Sequence, residues 1–93
     1  MIKKELIITN ETGLHARPAT LFVQTAQAFK SKIGITKGQK QADAKSILAV
    51  MSLGITKGTS ITLWAEGEDE KEAIEALERL VKSNFREGIE DAS

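Results

Sequence analysis

Cysteine and tyrosine are absent from this chain of 93 residues, and histidine, proline and tryptophan occur once each. Each shortage removes a class of explanation. Without cysteine there is no disulfide framework and no thiolate metal site. A single histidine, His15, rules out multi-histidine metal centres, so neither a metal nor another cofactor is expected. Charge of one sign is also missing: 13 basic residues balance 13 acidic ones, which removes the electrostatic footprint of a nucleic-acid binder. No apolar run approaches the roughly 18 residues of a membrane span. The opening residues Met1-Ile2-Lys3-Lys4-Glu5 lack the hydrophobic stretch of a signal peptide, so a cytoplasmic protein is expected. What is present is ordinary globular material, 41% hydrophobic and 28% charged. Residues 1–88 are expected to form one domain and 89–93 a flexible tail. A single domain of this size buries roughly 60–65% of its unfolded surface.

Ile2, Leu6 and Ile8 alternate with polar residues, which predicts a half-buried first strand, and Asn10-Glu11-Thr12-Gly13 is a turn cluster. Ala19, Phe22, Val23, Ala26 and Phe29 fall on one helical face and predict a helix over residues 16–29, with Pro18 tolerated in its first turn. Ile33 and Ile35 mark a second strand, and Lys40 to Asp43 a short third one. Ser46 is a good N-cap for a short helix over Ile47-Leu48-Ala49-Val50-Met51, with Gly54 as its stop. Ile61, Leu63 and Ala65 face inward on a fourth strand, with Thr62, Trp64 and Glu66 outward. Trp64 is expected to pack against Ile7 across strands. The last helix should be capped by Asp69 with Glu72, carry Ala73, Ile74, Leu77, Leu80, Val81 and Phe85 as its apolar stripe, and close the pairs Glu75–Arg79 and Glu78–Lys82. Strands with one apolar face and helices with one apolar stripe imply an α+β fold of two layers, with helices on one side of an antiparallel sheet. A ferredoxin-like split unit shares most of this order, and periodicity does not choose between the two.

Chemistry concentrates at Gly13-Leu14-His15-Ala16-Arg17-Pro18. A helix start carries unpaired N–H groups and a partial positive charge, which together make an anion site. Arg17 adds a planar fork suited to phosphoryl oxygens. A nucleophilic imidazole and an anion cradle thus coincide, as a transient phosphohistidine requires. The plainer reading of His15 is a helix cap or surface residue. No Asp or Glu is placed to orient its ring, so a hydrolase triad has no support.

Gly13-Leu14-His15-Ala16-Arg17-Pro18-Ala19 resembles the active-site signature of the HPr family, phosphocarriers of the bacterial phosphoenolpyruvate:sugar phosphotransferase system (PTS). Ala44-Lys45-Ser46-Ile47-Leu48-Ala49-Val50-Met51-Ser52-Leu53-Gly54 is similar to the family's second, regulatory signature. Glu66-Gly67-Glu68-Asp69-Glu70 resembles the approach to its last helix. The resemblance implies an open-faced two-layer β-sandwich, with a four-stranded antiparallel sheet of order 1-4-2-3 and three helices on one face. It further implies that His15 accepts a phosphoryl group on Nδ1 from phosphorylated enzyme I and passes it to an enzyme IIA domain. Arg17 would neutralise that group. Ser46 would be the regulatory site of an HPr kinase/phosphorylase, with a catabolite-control transcription regulator as a further partner. Such a protein is a stoichiometric carrier and not an enzyme, and a monomer is expected. Leu48 and Ala49 stand where Gram-positive members commonly have Met-Gly, and the acidic tail is longer than the usual ending. The presence of His15 argues against the regulatory paralogue Crh, which lacks this histidine. Thr20, Leu21, Ile47, Leu48 and Met51 are expected to form a partner-docking patch around His15 and Ser46. The rival readings are a regulatory binding module without onward transfer and the nitrogen-related branch of the same system.

Overall fold

The structure, a computed structural model, describes residues 1–86. The expected tail over 89–93 and the domain limit at residue 88 lie outside them. The elements run β1 (Ile2–Ile7), α1 (Ala16–Gln27), β2 (Lys32–Lys37), β3 (Lys40–Asp43), α2 (Ile47–Ser52), β4 (Ser60–Glu66) and α3 (Glu70–Lys82). The strands form one antiparallel sheet of order β1-β4-β2-β3, as the resemblance implied and against the ferredoxin-like alternative.

One core explains this layering. Leu6, Ile8, Ile33, Ile35, Ile61, Leu63 and Ala65 line the covered face of the sheet. Against them pack Phe22, Val23 and Ala26 of α1, Val50 of α2, and Ile74, Leu77 and Val81 of α3. Alternating residues point to opposite sheet faces, so each strand's apolar set lies under the helices. Helix α3 crosses β1, β4 and β2, while α1 lies against both α2 and α3.

Several local expectations give way to tertiary contacts. Helix α1 ends at Gln27 because its last turn tightens into i→i+3 bonds, Ala28 N–H to Thr25 O and Phe29 N–H to Ala26 O, both 3.2 Å. Phe85 sits past α3 in the left-handed region (φ 65°), yet its side chain still reaches the core. Of the two expected helix pairs, Glu78–Lys82 is closed at 2.8 Å, with Lys4 also near Glu78 at 3.5 Å, and Glu75–Arg79 is open. Trp64 does not meet Ile7. Register places it opposite Lys3 and Gly34, while Ile7 faces Ser60. Its indole lies across Gly34, in the space a side chain there would need. A tryptophan covering an interior glycine on the open sheet face is accounted for by packing alone.

The expected Asp69–Glu72 capping box is also absent. The Asp69 carboxylate is drawn away to the α1–β2 loop, where it accepts the N–H groups of Lys30 and Ser31 (both 2.9 Å) and the Ser31 hydroxyl. Glu70 instead reaches back to Gly67 N–H at 3.0 Å. The Ser31 hydroxyl above all, then the Lys30 N–H, lowers the Asp69 carboxyl from 3.8 to about 2. A carboxylate depressed on folding supports the native state above its unfolded value, and that support is lost as pH falls through the folded one. Thermal midpoints of the wild type should therefore fall faster between about pH 4 and 2 than those of Asp69→Asn, and parallel curves would show that the Asp69 hydrogen bonds to Lys30 and Ser31 add no stability.

Candidate functional site

Two clasps hold the loop that leads from β1 to α1. Gly13 sits at φ 65°, and a side-chain carbon there would collide with the Ile55 carbonyl and with Thr56 Cα. Leu14 N–H donates to Ile55 O at 3.0 Å, and the Leu14 side chain is fully buried. The chain reaches His15, the N-cap of α1, in extended conformation (φ −126°, ψ 157°). Ala16 then turns at φ 49°, an unfavourable angle for a residue with a Cβ.

His15 is half-buried and its ring makes no hydrogen bond among the described residues, so it holds the N-cap position without its side chain capping the helix. Arg17 is exposed and without an ion-pair partner among the described residues, and the first turn of α1 contains no acidic residue. Pro18 occupies the third helical position and removes one orphan N–H there, leaving those of Ala16 and Arg17 beside the imidazole. A half-buried imidazole, an exposed guanidinium and two amide donors thus belong to three consecutive residues at a helix start, where an anion is electrostatically favoured.

Ser46 is the N-cap of α2 as expected, its hydroxyl accepting from Ala49 N–H at 3.2 Å. It is not beside His15. Gln27 donates to Lys45 O (3.1 Å) and Lys45 Nζ to Phe29 O (2.7 Å), tying the start of α2 to the end of α1. Leu14 is tied instead to Ile55, beyond the end of α2. The two helices therefore run antiparallel, and Ser46 is set back from His15, at the opposite end of the six-residue α2 from the Leu14–Ile55 contact. Exposed apolar side chains occupy the interval: Ile47 at 41%, Leu48 at 83% and Met51 at 36%. Leu21 is half-buried against the core, and the Thr20 hydroxyl bonds back to Ala16 O at 3.2 Å, so the open part of the expected patch is carried by α2.

The supporting contacts of three residues escaped the sequence reading. Lys37 Nζ caps the end of α2 through Leu53 O (2.9 Å) and Gly54 O (3.1 Å), Lys45 caps α1, and Asn10 braces the loop before His15. Only Asn10 had a local signal, an Asn three residues before a Gly. Among the described residues no three His, Cys, Asp or Glu side chains cluster to hold a metal ion. No helix among them is long and apolar enough to cross a membrane.

The described residues thus form an open-faced sandwich with an imidazole, unbonded among them, at a helix start. Comparison with known proteins gives the family. A family model described as "PTS HPr component phosphorylation site" matches residues 2–83, and the chain belongs to this PTS HPr family. Phosphocarriers of this family are not enzymes in themselves. The HPr-like protein Crh of Halalkalibacterium halodurans is 53% identical over 77 residues, covering 83% of this chain and 92% of that protein. The crystal structure of HPr-C-His from Thermoanaerobacter tengcongensis superposes with a TM-score of 0.90 at 53% identity, covering 91% of this chain and 96% of the other. Crh of Bacillus subtilis, solved as a dimer with a swapped domain, gives a TM-score of 0.72 at 45% identity, covering 90% and 97%.

Proposed function

We propose that this chain is a phosphoryl carrier that accepts a phosphoryl group on His15 from phosphorylated enzyme I and delivers it to an enzyme IIA domain. The imidazole at the start of α1, next to Arg17 and like it without a side-chain partner among the described residues, carries the reading. His15 Nδ1 attacks phosphorus, its N–P bond forming as the bond to enzyme I breaks, and the reverse pattern passes the group to the acceptor. Arg17 and the helix N–H groups stabilise the equatorial oxygens during both steps. The test is incubation with enzyme I and phosphoenolpyruvate, with and without IIA. One acid-labile, base-stable phosphoryl group should form and disappear when IIA is added. Cytoplasmic location and a monomeric state complete the reading, the latter checked by sedimentation against a dimer like that of the Bacillus subtilis relative.

Likeness to Crh supports a second reading, a regulatory module whose phosphorylation state controls other proteins. Labelling that IIA fails to discharge would favour it.

Arg17 should be sensitive to shape as well as charge. A charge-assisted hydrogen bond contributes about 1.5–3 kcal/mol, so transfer should fall roughly 10- to 150-fold in Arg17→Lys and further in Arg17→Glu. Stopped-flow transfer rates at the wild-type level in Arg17→Glu would remove it from the site.

Ser46 is proposed as the regulatory phosphorylation site, accessible to an HPr kinase/phosphorylase and read by a catabolite-control regulator. A phosphate there adds about −1.5 to −2 charges at the head of the exposed α2 patch, which enzyme I and IIA must cover. Ile47, Leu48 and Met51, together with Thr20 and Leu21, are proposed to form that docking surface. Ser46→Asp keeps the cap and should accept phosphoryl groups at least about tenfold more slowly, equivalent to about 1.4 kcal/mol. Ser46→Ala should lose about 1 kcal/mol of stability and little rate. Equal initial rates for the two variants would reduce Ser46 to a helix cap.

A further inference from the structure

We infer that Asn10 is a positioning residue for His15, through a clamp on the peptide unit between Gly13 and Leu14; the inference rests on the phosphoryl-acceptor reading above. Asn10 is only 8% exposed and its Oδ1 has no partner among the described residues, so what the buried amide contributes comes from its two Nδ2 hydrogens. Both are spent inside this one loop. Nδ2 donates to Gly13 O at 2.9 Å and, more weakly, to Thr12 Oγ1 at 3.4 Å. The main chain closes the same turn, Gly13 N–H donating to Asn10 O at 3.2 Å. The next bond makes the arrangement more than a turn. Leu14 N–H belongs to the same peptide unit as Gly13 O, and it donates to Ile55 O. That unit is therefore gripped at its carbonyl by Asn10 and at its N–H by the segment after α2.

His15 follows directly, and after it Ala16 at φ 49°. A strained angle of this kind persists only where the surrounding chain over-determines it. The clamp supplies that constraint on the upstream side, and Thr20 Oγ1 holds Ala16 O on the downstream side. Without Nδ2 the Gly13–Leu14 unit is free to rotate about its remaining bond, and the imidazole samples a wider range of directions. The docking patch on α2 is untouched. Misaligned reacting atoms slow the step without weakening encounter, so the loss belongs in kcat and not in KM.

The experiment compares Asn10→Ala with Asn10→Asp, which keeps the shape and loses the donor. Both should lower kcat for phosphoryl acceptance from enzyme I at least about tenfold, with KM within about twofold. Both should also speed hydrogen exchange at the Leu14 amide at least about tenfold relative to amides of α3. Ile74→Val, a mild core change remote from the loop, controls for stability and should alter neither. Wild-type kcat in Asn10→Asp, or unchanged Leu14 exchange, would overturn the clamp. A wild-type chain that enzyme I leaves unlabelled would overturn the carrier reading instead, and the exchange measurement would then decide the clamp alone.

Discussion

His15→Ala will abolish labelling by enzyme I and phosphoenolpyruvate while leaving the melting curve near that of the wild type. No second imidazole exists to take over, because His15 is the only histidine. The half-buried ring caps no backbone N–H and makes no hydrogen bond among the described residues, so alanine removes only its partial packing. A partly exposed substitution of this kind changes stability by about 0.5 kcal/mol or less. The prediction therefore separates chemistry from folding more cleanly than any other position in the loop. Robust acid-labile labelling of the folded variant would place the phosphoryl group elsewhere and end the assignment.

Gly13→Ala should produce the largest loss of stability near the site, and it should carry transfer down with it. Two costs combine. Alanine in the left-handed region costs about 1–2 kcal/mol. The added carbon also meets the Ile55 carbonyl and Thr56 Cα, which are backbone and have no rotamer to escape into. Forcing them apart costs a further 1–3 kcal/mol or so, by analogy with overpacked cores. A total of about 2–5 kcal/mol is a large share of the 5–15 typical of a domain, and it should lower the midpoint on the order of 10–40 °C. Gly38 supplies the control: its φ is 60°, but nothing lies within 4 Å of an added carbon. Gly38→Ala should pay only for the angle. Calorimetry showing the same midpoint for both variants would mean that the loop does not press on Ile55. Because Leu14 N–H must shift with Gly13, phosphoryl acceptance by Gly13→Ala should also slow at temperatures where it remains folded.

The sequence reading succeeded where a signal is local and periodic. All four strands and all three helices were expected, and the inward residues of β4 and α3 are those the alternation and the helical stripe pointed to. The Ser46 cap follows from a residue type and its neighbours, and the structure shows it. Expectations that depended on what lies opposite fared worse. Trp64 was assigned to the correct face and the wrong neighbour, since register between strands about sixty residues apart depends on the whole sheet. Asp69 has the spacing of a capping box, but the α1–β2 loop offers its carboxylate three donors at once. Local hydrogen-bond preference yields when a distant segment supplies more bonds.

His15, Arg17 and Ser46 are legible in the chain as residue types at a helix start, and the family follows from two separated motifs that a linear reading can see. The tertiary structure alone decided how they stand to one another. Because α1 and α2 pack antiparallel, Ser46 falls at the far end of α2 from His15, with the exposed Ile47, Leu48 and Met51 between them. The clamp on the Gly13–Leu14 peptide likewise needs Ile55, forty-one residues on from Leu14. Composition and period report which side of an element is apolar, because burial drives both. They carry no record of which polar groups meet across the chain, since those pairings exist only once the core has brought the elements together.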